Sequence, residues 1–302
     1  MKLYTKLLRS ELSAISKLSD ICPLDKSRIA MDKMGKALTF RHRKCVSYKD
    51  IGLAKLRAEY IIPRSPRHEA LILYLHGGGY VLGSMDYARG FGTLIAAETS
   101  VKVCCLEYRL APEHRFPAAL DDAYYTYRFL IESGFPSERI VLCGESAGGG
   151  LIYALSLKLK AEGCPMPRGI IALSPWSDLT LSGSSYEFNR ANDPSMTEKR
   201  LRFYAESYSE QFKDPYVSPL FGDLTGLPPS MILAGGHEIM LSDSMSLHEK
   251  LLSCGCGSTL HIAPEMWHVY LMYNIAEAKN GFKKINDFIG ELFNDQYGGT
   301  FQ

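Results

Sequence analysis

The sequence predicts an α/β fold: a mostly parallel central sheet flanked by helices, with a helical cap. Three observations predict it. From about residue 70, short continuously apolar runs alternate with longer helical patterns, as expected of parallel strands buried on both faces. Ahead of them, KLRAEYIIP (55–63) places Leu56, Ala58, Tyr60 and Ile62 at every second position, the period of an antiparallel strand with one buried face. Two segments, 1–44 and 181 to about 229, break the alternation and carry helical patterns of their own.

Taken in order, residues 1–44 are polar and helix-prone and are assigned to the N-terminal part of the cap. Residues 45–180 form the first part of the core. Edge strands at 45–48 and 56–62 lead into ALILYLH (70–76), VKVCCLEY (101–108), RIVLCG (139–144) and RGIIALS (168–174). Helices fall between them at 86–99, 117–133 and 147–162; in the second, Leu120, Ala123, Tyr124, Tyr127 and Leu130 repeat at helical spacing. The segment from 181 to about 229 is too long for a simple connection. It holds the helical pattern MTEKRLRFYAESYSE and the Pro-rich stretches DPYVSPL and GLPPS. Within it, 181–212 is assigned as a cap insertion over the carboxyl ends of the strands, where open parallel sheets bind ligands. Residues 213–302 complete the core with strands SMILAGG (230–236) and STLHIAP (258–264) and helices at 243–253 and 273–293. An exposed edge near 258–263 would let two copies pair as a homodimer.

Composition narrows the class. With 34 Lys and Arg against 33 Asp and Glu, the net charge is +1, so no broad positive field is available to attract nucleic acid. The N-terminus carries Lys2, Lys6 and Arg9 but no uninterrupted apolar stretch. Neither a secretory signal nor a membrane span is expected there, and the expected compartment is the cytoplasm. The eight cysteines do not suggest disulfides: Cys104, Cys105 and Cys143 lie inside strand runs, where the thiol behaves as a small buried apolar group. Cys254 and Cys256 are too few to hold a metal, and no histidine spacing supplies the rest.

The most specific signal is GESAGGG (144–150), placed between a buried strand and a helix. That setting is the one a G-x-S-x-G nucleophile elbow requires. The turn is tight enough that Gly144 and Gly148 must lack side chains, and Ser146 projects its hydroxyl from a strained backbone. The helix opening there aims free N–H groups and its positive dipole end at developing negative charge. A Gly-rich phosphate loop is the competing reading. It finds no G-x-G-x-x-G match and no following Gly-Lys-Ser/Thr.

The second signal is HGGGYVLG (76–83), directly after the strand ALILYLH. Three glycines in a row leave backbone N–H groups unobstructed, as a tetrahedral oxyanion needs. With YRLAPEHRFPAALDD (108–122) and SPWSDLT (174–180), the chain resembles the hormone-sensitive-lipase-like esterases of the α/β-hydrolase superfamily over roughly residues 70–290. The resemblance implies oxyanion donors at the N–H groups of Gly78, Gly79 and Ala147. It makes Gly77 a residue that shapes the loop and His76 an anchor rather than a base, with Glu145 as a further supporting residue beside the nucleophile.

In that fold the triad runs Ser, acid, His along the chain, which places the base near the C-terminus. His248 sits within a helical pattern and His261 within a strand, whereas His268 follows Pro264 in the loop PEMWHVY. His268 is therefore the expected base. For the acid, Gly235-Gly236-His237-Glu238-Ile239-Met240 matches the family pattern G-x-x-E-x-L with Met for Leu. Aspartate is the commoner residue there, but the template accepts either acid. Asp243 is the alternative; at a helix start, it would also serve simply by complementing the dipole.

These residues predict a serine carboxylesterase that works through an acyl-enzyme with no metal or organic cofactor, and the resemblance implies short acyl esters, acetyl to about hexanoyl, as its substrates. Tyr80, Trp176, Phe203 and Tyr204 are candidates for its pocket wall. Two rival readings stand beside it. One is cleavage of another small acyl compound: an amide, a lactone or an acetylated sugar. The other is a non-catalytic small-molecule receptor on the same fold, which would be expected to lack the nucleophile or the base.

Overall fold

In the computed structural model, which describes residues 3–293 apart from 55 and 68, the order of elements follows the predicted alternation. Helices α1 (Leu3–Ser19) and α2 (Leu24–His42) precede β1 (Val46–Ile51), β2 (Arg57–Pro63) and β3 (Leu71–Leu75). Then come α3 (Met85–Thr99), β4 (Lys102–Glu107), α4 (Ala118–Glu132), β5 (Ile140–Glu145), α5 (Ala147–Ala161) and β6 (Gly169–Leu173). Helices α6 (Ser185–Phe188) and α7 (Glu198–Tyr208) fill the long interruption before β7 (Ser230–Gly235), α8 (Leu241–Ser253), β8 (Ser258–Ala263) and α9 (Ala276–Leu292). Positions 1, 2, 55, 68 and 294–302 of the expected segments lie outside the described residues.

The eight strands form one sheet in the order β1-β2-β4-β3-β5-β6-β7-β8. Pairings β1–β2 and β2–β4 are antiparallel, and all others are parallel. The continuous apolar runs follow from this placement, because helices cover both faces. In β3, Leu71, Leu73 and Leu75 pack into one core layer while Ile72 and Tyr74 pack into the other. In β5, Ile140 and Leu142 alternate with Val141 and Cys143 in the same way, the period-2 geometry of a strand. The first layer includes Tyr127 of α4, Leu151 of α5 and Leu247 of α8; the second includes Phe91 of α3 and Phe282 and Ile285 of α9. The last strand, β8, lies at the sheet edge and is nowhere fully buried.

Topology decides where a site can form. From β3 the chain moves to β4 on one side and then returns to β5 on the other. The loops leaving β3 and β5 diverge there and open a crevice at the carboxyl ends. Leu75 and Gly144 are register partners, so HGGG and GESAG emerge side by side from adjacent strands.

The two segments that break the alternation touch each other. Arg200 of α7 donates through Nη2 to Ser16 O at 2.6 Å and Asp20 Oδ1 at 2.9 Å, and Ser16 Oγ donates to Ser195 O at 3.2 Å. Helix α2 is fastened to the core by Arg28, which donates to Val81 O at 2.8 Å and to both carboxylate oxygens of Glu113 at 2.7 Å. Among the described residues no helix is long and apolar enough to cross a membrane.

Candidate active site

Strand β5 ends at Glu145 and α5 begins at Ala147, so Ser146 alone makes the turn between them. Its backbone sits at φ 55° and ψ −123°, a sparsely populated region that costs a non-glycine residue about 1–3 kcal/mol. Backbone hydrogen bonds hold the turn: Ser146 N–H donates to Leu173 O at 3.0 Å, and Gly150 N–H and Trp176 N–H donate to Ser146 O at 3.1 and 2.9 Å. A β-carbon on Gly148 would lie 2.0 Å from Leu75 O, and one on Gly144 would lie 2.3 Å from Gly148 O. The first would push α5 away from β3, and the second would push it away from β5. The Ser146 hydroxyl does not cap α5; the residue lines a cavity of about 180 Å³.

Gly78 and Gly79 line that cavity beside it. Their φ angles of +103° and +63° favour glycine. Gly78 O accepts from Val81 N–H and Leu82 N–H at 3.1 and 2.9 Å, which fixes the loop. Ala147 is the first residue of α5, where a helical N–H has no intrahelical acceptor. The N–H of Gly77 is committed elsewhere, to Glu145 Oε1 at 2.6 Å. His76 is fully buried beneath the loop; its ring stacks on Tyr108 with centroids 4.1 Å apart, and Nδ1 donates to Gly77 O at 2.7 Å. Burial lowers its pKa to about 4, so it stays neutral.

Glu145 is the buried centre of this support. Its Oε1 also accepts from Tyr87 OH at 2.9 Å, and its Oε2 accepts from Tyr74 OH at 2.8 Å. Burial pushes its pKa from the ordinary 4.5 up to about 7, with the Gly77, Tyr74 and Tyr87 donors opposing the rise. The folded state therefore binds this proton more tightly than the unfolded chain does. Its contribution to stability is greatest below pH 4.5 and declines as pH rises toward about 7. In Glu145→Gln that decline should vanish, so the melting temperature should vary less across this window than in the unmodified protein. In Glu145→Ala, which frees the Gly77 N–H, kcat should fall by about one to two orders of magnitude, less than for direct loss of an oxyanion donor. Thermal melts from pH 4 to 8 and steady-state kinetics check the two.

The remaining groups arrive from the sheet's other half. Glu238 follows β7 and is fully buried; His268 lies in the loop between β8 and α9. His268 Nδ1 is 3.1 Å from Glu238 Oε2. Because a carboxylate only accepts, Nδ1 carries the hydrogen and Nε2 of the neutral ring is left with its lone pair. Burial raises the Glu238 pKa, and the His268 hydrogen bond opposes it. The loop holding Glu238 is braced from the 181–212 segment: Asn189 Nδ2 donates to Gly236 O and Glu238 O, each at 3.0 Å, and Ile239 N–H donates to Asp193 Oδ2 at 2.9 Å. His268 lines the same cavity as Ser146.

Asp243 stands apart. It is buried in the first turn of α8 and accepts from Ser177 N–H at 3.1 Å, Asp178 N–H at 2.9 Å and Tyr186 OH at 3.0 Å. It holds the SPWSDLT turn in place. The carboxylate in contact with His268 is that of Glu238.

Of the four aromatic residues expected along the pocket, only Tyr204 lines this cavity. Tyr80 is turned into the core and stacks on Tyr208 with centroids 3.8 Å apart. Trp176 is fully buried, its carbonyl packed against α5 at Gly150. Phe203 sits on the outer face of α7, 49% exposed. An aromatic residue after a tight loop can brace the loop from below as readily as wall the pocket above, and the local pattern is the same. The wall is instead rich in methionine: Met31 and Met34 from α2, Met196 and Met272, with Tyr273 beside them. Nothing local marks these residues, which meet only through the packing of three separate segments. Among the described residues no cluster of His, Cys, Asp or Glu is placed to hold a metal.

A family model described as alpha/beta hydrolase fold matches residues 72–272. An esterase from Acinetobacter venetianus is 36% identical over 258 residues, covering 84% of this chain and 85% of its own. An acetyl-hydrolase from Streptomyces hygroscopicus is 38% identical over 219 residues, covering 72% and 73%. Among solved structures, an esterase of the bacterial hormone-sensitive lipase family superposes with a TM-score of 0.87 at 32% identity, over 94% of this chain and 97% of that one.

Proposed function

The chain belongs to the alpha/beta hydrolase fold family, as a carboxylic ester hydrolase of the hormone-sensitive-lipase-like group, and from that premise we propose that Ser146, His268 and Glu238 are its catalytic triad. His268 Nε2 takes the Ser146 proton as the hydroxyl oxygen attacks the ester carbonyl. Glu238 holds the ring in the required tautomer and stabilises its charged form. The oxyanion is met by the N–H groups of Gly78, Gly79 and Ala147, each worth about 3–4 kcal/mol of transition-state stabilisation. His268 then protonates the leaving alcohol, and water attacks the acyl-enzyme through the same base.

The observation that carries this reading is the 3.1 Å contact between His268 Nδ1 and buried Glu238, beside a serine in an elbow. Short acyl groups, acetyl to about hexanoyl, fit the 180 Å³ cavity and agree with the acetyl-hydrolase relative. The test is a series of nitrophenyl esters. The specificity constant should be highest between acetate and hexanoate and fall beyond it, and Ser146→Ala should be inactive across the series. A profile that peaked at dodecanoate would overturn the chain-length reading.

A further inference from the structure

Arg200 and Tyr204, about one turn apart on α7, each line two cavities. One is the catalytic cavity. The other, about 310 Å³, lies between the end of α1, the start of α2 and α7, and its lining includes Ile21, Cys22, Pro23, Leu24 and Phe203. It opens past Ile21 and Phe203, which are 77% and 49% exposed.

We propose that the Tyr204 ring is the partition that limits the chain length reaching Ser146, closing off an outer cavity that would hold the aliphatic chain of a longer ester once the ring is removed. The proposal rests on the ester-hydrolase reading of the Ser146 site.

The two residues of the shared wall differ in kind. Arg200 is fastened: besides Ser16 and Asp20, it donates to Ser195 O at 3.0 Å, and its ion pair with Asp20 is largely buried. Removing one partner of such a pair strands the other charge, so this part of the wall does not yield. Tyr204 contributes an apolar ring laid against the oxyanion loop. A β-carbon on Gly79 would come within 2.2 Å of Tyr204 Cδ2. The ring therefore stands between the reacting carbonyl and the apolar space beyond it.

Size points the same way. The catalytic cavity alone falls below the roughly 300–1,000 Å³ usual for drug-sized ligands, whereas the two joined would fall within it. Each methylene newly buried in the joined space should raise kcat/KM about fourfold, the fold-change equivalent of ~0.8 kcal/mol.

The experiment compares kcat/KM for nitrophenyl butyrate and decanoate in the unmodified enzyme, Tyr204→Ala, Leu24→Trp and the double variant. Using the decanoate-to-butyrate ratio cancels any general loss from disturbing the Gly79 loop. Tyr204→Ala should raise the ratio at least tenfold. Leu24→Trp, which fills the outer cavity, should leave the ratio within twofold alone and return it to the starting value in the double variant. If Tyr204→Ala does not fold, Tyr204→Leu carries the same measurement. A folded Tyr204 variant that cleaves butyrate with an unmoved ratio overturns the proposal, and so does a gain that Leu24→Trp fails to remove. Failure of the underlying reading would look different: butyrate cleavage would survive Ser146→Ala.

Discussion

Replacing Ser146 with alanine should lower kcat by about 10⁶, the scale of losing a triad nucleophile, while the fold remains intact. The loss is so large because no other group can form the acyl-enzyme; what survives is the rate that the oxyanion donors and substrate positioning still provide to attack by water. Stability should separate cleanly from rate at this position. Alanine keeps a β-carbon at φ 55°, so the strain of the elbow remains. Glycine removes it. Ser146→Gly should be as inactive as Ser146→Ala yet more stable by roughly 1 kcal/mol, after subtracting the entropy that glycine adds to the unfolded chain. Burst kinetics with a nitrophenyl ester, alongside denaturant unfolding of both variants, measure the two effects. An alanine variant that still showed a full acyl-enzyme burst would place the nucleophile elsewhere.

Much of this was legible because the informative signals are local. Strands β3 and β5 are uninterrupted apolar runs, since both faces are covered, and their predicted limits differ from the observed ones by a residue at either end. The elbow and the glycine loop announce themselves because steric demands at Gly148 and backbone demands at Gly78 exclude other residues. The resemblance implied His76 and Glu145 as support under them, but the partners of Glu145 were not legible. Glu145 gathers Tyr74 from near the carboxyl end of β3 and Tyr87 from α3, 71 and 58 residues away along the chain, and no periodicity records that meeting. The same is true of the pocket wall. Met31 and Met34 read as ordinary positions on a polar helix until Arg28 fastens α2 over the crevice. Tyr80 and Trp176 failed as pocket residues for the opposite reason: aromatic identity is visible in a sequence, but the side of the loop on which the ring lands is decided by packing.

The identity of the acid is the point at which pattern alone left two choices, and the geometry gives them different chemistry. Glu238→Gln should lower kcat by about 10⁴. An amide nitrogen can donate to His268 Nδ1, which stabilises the tautomer with hydrogen on Nε2, the wrong atom to receive the Ser146 proton; the compensating negative charge is lost as well. KM should change little, because Glu238 is fully buried behind the histidine and does not line the cavity. Asp243→Asn should behave in the reverse manner. It disturbs acceptors for Ser177 N–H, Asp178 N–H and Tyr186 OH, so it should cost about 1–3 kcal/mol of stability and leave kcat within a few-fold of the unmodified enzyme. Rate and melting temperature measured together on both variants decide between the carboxylates. If Asp243→Asn lost four orders of magnitude in kcat with an unchanged melting temperature while Glu238→Gln remained active, the assignment of the triad acid would pass to Asp243. The contact that argues against that outcome is the one His268 already makes: a hydrogen bond to an oxygen sealed from water, where an interaction that strengthens as the ring becomes cationic is worth most.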